Sequence, residues 1–146
     1  MGLLVSEVRL RIIVDDPVPG VLLRLQRGKD ELVRATSETT KQVTFDFTAR
    51  SGTPLPNGAP NFLGPFTQGP PATRFVYIRV GKSAGQAGTP FDRRAKIPLG
   101  GITAAQVATA LRTAGSVLEV RIPGRGKDGT PTCASVKLPP GAWKLV

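Results

Sequence analysis

The chain has 146 residues, no histidine, a single cysteine and a formal net charge of +10. Its length suits one domain, 1–146, and its ordinary hydrophobic content and near-zero mean hydropathy exclude both a disordered chain and a protein with membrane-spanning helices. Without histidine there are no Ser-His-Asp or Cys-His nucleophile pairs and few zinc or non-haem iron sites, so we expect no catalytic residue, no cofactor and no metal site.

The first fifty residues predict four strands. Apolar and polar side chains alternate in Glu7–Val14, which indicates a half-buried strand. Two further strands, Val21–Gln26 and Glu31–Thr36, flank a hairpin-like turn. Val43–Arg50 alternates again, and we expect its polar face to meet solvent; the alternative is a cavity in which Asp46 and Arg50 are the polar groups.

The stretch from Pro60 to Gly101 is the most unusual part of the sequence. It combines six prolines with two aromatic-rich pieces, NFLGPF and RFVYI. A flexible linker is poor in phenylalanine, because exposed aromatic surface favours aggregation. Prolines lower the entropy lost on ordering, and buried aromatic rings stabilise the folded state. We therefore expect an ordered loop that leads directly into a strand.

That strand is predicted at Thr73–Val80. Its alternation places Phe75, Tyr77 and Arg79 on one face. Arg74 falls on the other face, together with Val76, Ile78 and Val80. A second strand is predicted at 93–99, in the run RRAKIPL.

One helix is predicted at about 103–113, where Thr103 and Gln106 have the spacing of a capping box. The two glycines before it leave its N-terminus open as a candidate anion site. Further strands are expected at 117–122 and 132–138, and Trp143 is expected to pack the tail onto the body. The fold class is therefore mainly β (α+β): an antiparallel β-sandwich or a partly open β-barrel of about eight strands with one helix.

Several pieces of the sequence resemble the signature of a known family. They are PNFLGPF, QGPP, RFVYI, AGQ and RRAKIPLGGIT. The family consists of small bacterial proteins known as a domain of unknown function, and the resemblance runs from the VRLRIIV strand to CASVK. It implies a bacterial, cytoplasmic, single-domain protein, and it implies no activity and no catalytic residue.

Other features agree with a cytoplasmic location. The single residue Cys133 allows no intrachain disulfide, which fits a reducing compartment. The N-terminal MGLLVSEVRL has neither the basic region nor the long apolar region of a secretory signal. No association with a membrane is expected.

Positive charge is concentrated in the second part of the chain. Residues 1–50 carry eight Lys/Arg and seven Asp/Glu, a net of +1, whereas residues 51–146 carry twelve and three, a net of +9. Such an excess favours an anionic partner. We therefore expect a non-catalytic binding module for an anionic small molecule or an acidic peptide group. The candidate ligand-binding residues are Asn61, Phe62, Phe66, Gln68, Arg74, Tyr77, Arg79, Arg93, Arg94 and Lys96.

Two other functions stay open from the sequence. Strand arginines interleaved with aromatic residues are typical of β-barrels that bind nucleic acid nonspecifically. An enzyme that uses Asp46 or Asp92 with Tyr77 as acid and base is a weaker alternative, because no spacing supports it. The GKS at 81–83 lacks the first glycine of a phosphate-binding loop, which argues against a nucleotide hydrolase.

Overall fold

The structure is a computed structural model, and it describes residues 6–27, 30–64, 66–70, 73–82, 93–125, 138 and 141–146. Within these ranges the chain forms nine strands and one helix. In chain order the elements are β1 Ser6–Asp15, β2 Val21–Arg27, β3 Asp30–Ala35, β4 Gln42–Ser51, β5 Phe62–Leu63, β6 Phe75–Lys82, β7 Arg93–Pro98, α1 Ala104–Arg112, β8 Leu118–Pro123 and β9 Lys144–Leu145.

The strands form two sheets. The front sheet has the strand order β5-β4-β1-β8-β9, and the back sheet has the order β3-β2-β6-β7. Neighbouring strands are antiparallel except β1 and β8, which are parallel and are joined by a connection that runs through most of the chain. One of the sheets is curled like half a barrel. The predicted mainly-β fold with one helix is confirmed.

The two sheets enclose one apolar core, as the alternation predicts. Every second residue of β1 and β6 is buried in it, and β4 and β8 contribute in the same way. The residues in between point outward. We call the outward surface of the back sheet the back face; among the described side chains it carries Leu22, Arg24, Val33, Phe75, Tyr77, Arg79 and Lys96.

Residues 60–64 and 66–70, which we call the proline-rich segment, contact both sheets. Its first part forms β5, where Phe62 pairs with Ser51 on the edge of the front sheet. Its later part reaches the back sheet, where Gln68 and Phe75 exchange two backbone hydrogen bonds of 2.8 and 3.0 Å. The predicted ordered loop is therefore present over the described residues 60–64 and 66–70, and it is hydrogen-bonded to the front sheet at one end and to the back sheet at the other.

Strand β6 begins two residues later than predicted. The Thr73 N–H donates to the Pro70 carbonyl at 2.9 Å, and the ladder with β7 starts only at Phe75. The strand predicted at 132–138 falls almost entirely on residues outside the described ranges.

The helix and the tail are held to each other. The Gln106 N–H donates to the Thr103 hydroxyl at 3.1 Å and the Thr103 N–H donates to the Gln106 side-chain oxygen at 2.9 Å, which confirms the capping box. Gln106 Nε2 also donates to the Trp143 carbonyl, at 2.6 Å. The Trp143 indole is buried, and its Nε1 donates to the Pro98 carbonyl at 3.1 Å. No helix in the described part of the chain has the length and apolarity needed to span a bilayer.

Candidate functional site

A small cleft lies between the proline-rich segment, the start of β6 and the turn that leads into α1. Its volume is about 120 Å³. The residues that line it are Leu55, Asn57, Ala59, Pro60, Phe62, Arg74, Leu99, Gly100 and Ile102. Among the lining residues that the structure describes, Arg74 is the one charged residue, and none carries a carboxylate.

Strand alternation explains why Arg74 lies in the cleft. Arg74 lies two and four residues before Val76 and Ile78, so its side chain points to the same face of the strand. The side chains of Val76 and Ile78 are buried in the core. It stands one residue before β6, so its side chain lies at the end of the core, where the cleft opens. Its carbonyl accepts a hydrogen bond of 2.9 Å from the Leu99 N–H, which fixes the β7–α1 turn beside it.

Among the described residues, Gly69 holds the guanidinium of Arg74. Its Nη1 donates to the Gly69 carbonyl at 2.5 Å, so the proline-rich segment sets its position. Its Nε is buried and has no hydrogen-bond partner among the described residues. An unsatisfied buried donor costs about 1–3 kcal/mol, more when the group is charged. The Nε–H thus lacks an acceptor among the described residues, at a residue that lines the cleft.

A second buried polar side-chain atom has no hydrogen-bond partner among the described residues. It is Oδ1 of Asn61, a residue flanked by two lining residues, Pro60 and Phe62. The Asn61 carbonyl accepts from the Gly52 N–H at 2.9 Å, which fixes the backbone there. Arg74 thus has a buried donor at a residue of the lining, and Asn61 has a buried acceptor at a residue between two lining residues.

A larger cavity, of about 320 Å³, lies against the front sheet and has different electrostatics. Its lining includes Arg9, Arg11 and Asp46. Arg11 Nε donates to the Asp46 carboxylate at 2.7 Å, and its Nη1 lies 3.4 Å from the Glu119 carboxylate. The hydrogen bond and the charge of Asp46 raise the pKa of Arg11 above its ordinary value. Because these carboxylates already neutralise Arg11, this cavity is a poorer site for an anion.

The remaining predicted site residues lie elsewhere. Tyr77, Arg79 and Lys96 are half-buried on the back face, on the opposite side of the sheet from Arg74. Lys96 Nζ lies 4.2 Å from the centroid of the Phe75 ring. One pocket cannot combine Arg74 with Arg79, because an odd sequence separation along a strand places two side chains on opposite faces.

Two of the predicted ligand-binding residues, Phe66 and Gln68, make contacts that hold the proline-rich segment in place. The ring of Phe66 packs against Phe47, with 5.5 Å between centroids. Gln68 takes part through the backbone bonds to Phe75 described above. The side chains of Arg93 and Arg94 lie outside the described part of the structure; the Cα partners of these residues are Val80 and Arg79.

Sequence reasoning missed part of the cleft lining. Leu55, Leu99 and Ile102 lie in loop and turn segments of the sequence, and no periodicity indicates that they meet Arg74. Gly100 could be identified from the sequence, because it belongs to the pair of glycines before the capping box, where a candidate anion site was predicted.

The described residues do not assemble the acid–base pair considered from the sequence. Asp46 lies on the outward side of the front sheet and bonds Arg11, whereas Tyr77 lies on the back face. Asp92 and Cys133 lie outside the described residues. Within the described part of the chain, His, Cys, Asp and Glu form no group of three that is placed to hold a metal ion.

Comparison with known proteins agrees with the resemblance noted in the sequence. The model of a family of unknown function, DUF5990, matches residues 8–146. No curated protein and no solved structure matches the chain. Since the family model covers nearly all of the sequence, the chain belongs to the DUF5990 family, and the predicted membership of a domain-of-unknown-function family is confirmed.

Proposed function

We propose that this protein is a non-catalytic binding module that recognises a carboxylate end group in the Arg74 cleft. The observation that carries the proposal is the buried Nε of Arg74, which has no hydrogen-bond partner among the described residues and belongs to the one charged residue of the described cleft lining. A carboxylate oxygen that accepts from this N–H makes a charge-assisted hydrogen bond, which is stronger than a neutral one.

The cleft is large enough to hold the end group of a ligand but too small to enclose a whole drug-sized ligand. Pockets that enclose drug-sized molecules have volumes of roughly 300–1,000 Å³. The cleft has about 120 Å³, enough for a carboxylate and the atoms next to it. The rest of a larger molecule therefore lies outside the cleft, as the body of a peptide does when its C-terminal carboxylate is bound.

The chemistry of the site refines the ligand class. Arg74 Nε supplies a donor, and Asn61 Oδ1 supplies an acceptor beside the same cleft. A group that pairs a carboxylate with a nearby N–H satisfies both atoms. The C-terminus of a peptide is such a group, because its last amide N–H lies two bonds from the carboxylate carbon.

We also infer the cellular location and the kind of partner. The single cysteine in the sequence fits a reducing compartment, and the family resemblance implies bacteria. We therefore place the protein in the bacterial cytoplasm, with an acidic peptide or a small carboxylic acid as its partner.

Nuclear magnetic resonance tests the proposal directly. We expect N-acetylglycine, which mimics a peptide C-terminus, to shift the Arg74 Nε–H and the Leu99 and Gly100 amide signals, with saturation in the millimolar range, about −4 kcal/mol. Sodium acetate at the same ionic strength lacks the N–H and is expected to bind more weakly.

Variants separate the cleft from the general positive charge. Arg74→Gln is expected to abolish the saturable shifts, whereas Arg9→Gln, which removes an exposed arginine of β1, leaves them intact. Asn61→Ala is expected to remove the preference for N-acetylglycine over acetate. Shifts that never saturate, or that persist in Arg74→Gln, contradict the proposal.

A further inference from the structure

An apolar groove lies beside the Arg74 cleft, between helix α1 and residues 51–60, and we call it the α1 groove. Its volume is about 180 Å³. None of the lining residues that the structure describes is charged, and Ser51 supplies their one polar side chain. The groove therefore suits an aliphatic group, because a polar or charged group placed there loses water without gaining a partner. The lining includes Pro54, Gly58, Pro60, Ala104, Ala108 and Leu111.

The helix wall of the α1 groove is apolar although it faces outward. Ala104, Ala108 and Leu111 follow one another at spacings of four and three residues, which places them on one face of α1. All three are exposed, Leu111 to 43 %. The neighbouring Val107 is buried in the core. The solvent side of a surface helix is normally polar, so α1 presents an apolar face that lacks the usual reason to be there.

The opposite wall of the groove is held by its own hydrogen bonds. The Gly58 N–H donates to the Leu55 carbonyl at 2.8 Å, and the Leu55 N–H donates to the Ala59 carbonyl at 3.0 Å. The side-chain oxygen of Asn57 accepts from the Ala59 N–H, also at 3.0 Å. A wall fixed in this way forms the groove before a ligand arrives, so binding requires little further ordering of the chain.

The α1 groove and the Arg74 cleft are neighbours built from the same two segments. Pro60 lines both of them. In the loop, Asn57 lines the cleft and the next residue, Gly58, lines the groove. At the start of the helix, Ile102 lines the cleft and Ala104 lines the groove. A ligand that has its carboxylate in the cleft therefore has its adjoining atoms beside the groove.

We propose that the α1 groove binds the side chain of an aliphatic C-terminal residue of a peptide. This inference rests on the carboxylate site proposed at Arg74, and it adds the identity of the residue that carries the carboxylate. That side chain starts at Cα, the atom bonded directly to the carboxylate carbon. An engineered cavity of roughly 150 Å³ with an aliphatic lining holds a benzene molecule, so the groove has room for a leucine side chain.

Nuclear magnetic resonance titrations with small carboxylates test the inference. N-acetylleucine is expected to bind about tenfold more tightly than N-acetylglycine, a difference of about 1.4 kcal/mol, because its side chain leaves water. It is also expected to shift the Ala108 and Leu111 amide signals in addition to those of Leu99 and Gly100. N-acetylglutamine, whose side chain ends in a polar amide, is expected to show no such gain. Hexanoate, which has an aliphatic chain but no N–H, is expected to bind more weakly than N-acetylleucine.

Two alanines of α1 provide a matched pair of variants. Ala108 lines the groove, whereas Ala105 is equally exposed and is not among the described lining residues. Ala108→Leu fills the groove and is expected to remove the tenfold preference for N-acetylleucine. Ala105→Leu adds the same side chain outside the groove and is expected to retain that preference. Both substitutions place a good helix former at an exposed helical position, so both variants are expected to fold.

Four results overturn the inference: no gain with N-acetylleucine, tighter binding of hexanoate, a preference that persists in Ala108→Leu, or equal loss in both variants. Tighter binding of hexanoate would assign the groove to a free fatty acid. If N-acetylglycine saturates at Leu99 and Gly100 while N-acetylleucine gains nothing, the carboxylate site stands and only the groove fails. Absence of saturable binding by either ligand overturns both proposals together.

Discussion

At the scale of single residues, Gly69 determines where the Arg74 guanidinium lies. Its carbonyl accepts the Arg74 Nη1 hydrogen bond, and its φ of +88° belongs to the left-handed region that side chains rarely adopt. A Cβ atom at this position would lie 2.6 Å from Cε1 of Phe75. Glycine is therefore required both by the backbone conformation and by the close approach of the ring.

Gly69→Ala is expected to lower the free energy of unfolding by about 1–3 kcal/mol, from backbone strain and from the clash with Phe75. Urea denaturation measures the change. Gly58→Ala is the matched control, because Gly58 has a similar φ of +83° but open space around it. Equal losses in the two variants would show that the contact with Phe75 contributes nothing.

The sequence correctly predicted the strand face of residues 75–80 in β6, because side chains alternate between the two faces of a strand. It placed Arg74 on the same face as Val76 and Ile78, and Tyr77 and Arg79 on the other, as the structure has them. The predicted ligand-binding residues nevertheless include Arg74 and Arg79 together. The same alternation places these two side chains on opposite faces, so they cannot line one pocket. The unsatisfied atoms of Arg74 and Asn61 were not predictable, because hydrogen-bond partners come from segments distant in the sequence.

At the scale of secondary-structure elements, Gln106 links two parts of the chain. Its side-chain oxygen accepts from the Thr103 N–H at the start of α1, and its Nε2 donates to the Trp143 carbonyl just before β9. The helix N-terminus and the tail are therefore stabilised by the same side chain.

Substitutions at the helix start separate these two roles. Thr103→Ala removes the N-cap and is expected to cost about 1 kcal/mol. Gln106→Glu keeps the acceptor of the capping box but loses the donor to Trp143, whereas Gln106→Ala loses both and is expected to cost more than Gln106→Glu. Thermal and urea unfolding measure the differences. If Gln106→Ala costs no more than Gln106→Glu, the capping bond is negligible.

The elements differ in how far the sequence specifies them. Long alternating strands such as β1 and β4 and the capped helix were predicted within one or two residues, because their periodicity is local. The two-residue strands β5 and β9 were missed, because a pattern of that length carries no period. The parallel β1/β8 pair was missed because pairing depends on how distant segments come together.

At the scale of the whole molecule, the proline-rich segment brings the cleft together. It is paired with the front sheet through Phe62 and with the back sheet through Gln68, and it holds Arg74 through Gly69. Composition predicted an ordered segment there, since prolines and buried aromatic rings favour order. The cleft itself joins three segments that are far apart in the sequence, so no local pattern predicted it.

The central claim is that Arg74 binds a carboxylate in this cleft, and a crystal structure of the protein soaked in N-acetylglycine tests it most directly. We expect a carboxylate oxygen within hydrogen-bonding distance of Arg74 Nε, about 2.7–2.9 Å, and the ligand N–H directed at Asn61 Oδ1. N-acetylglycine bound at other surface arginines while the Arg74 cleft holds only water would contradict the account.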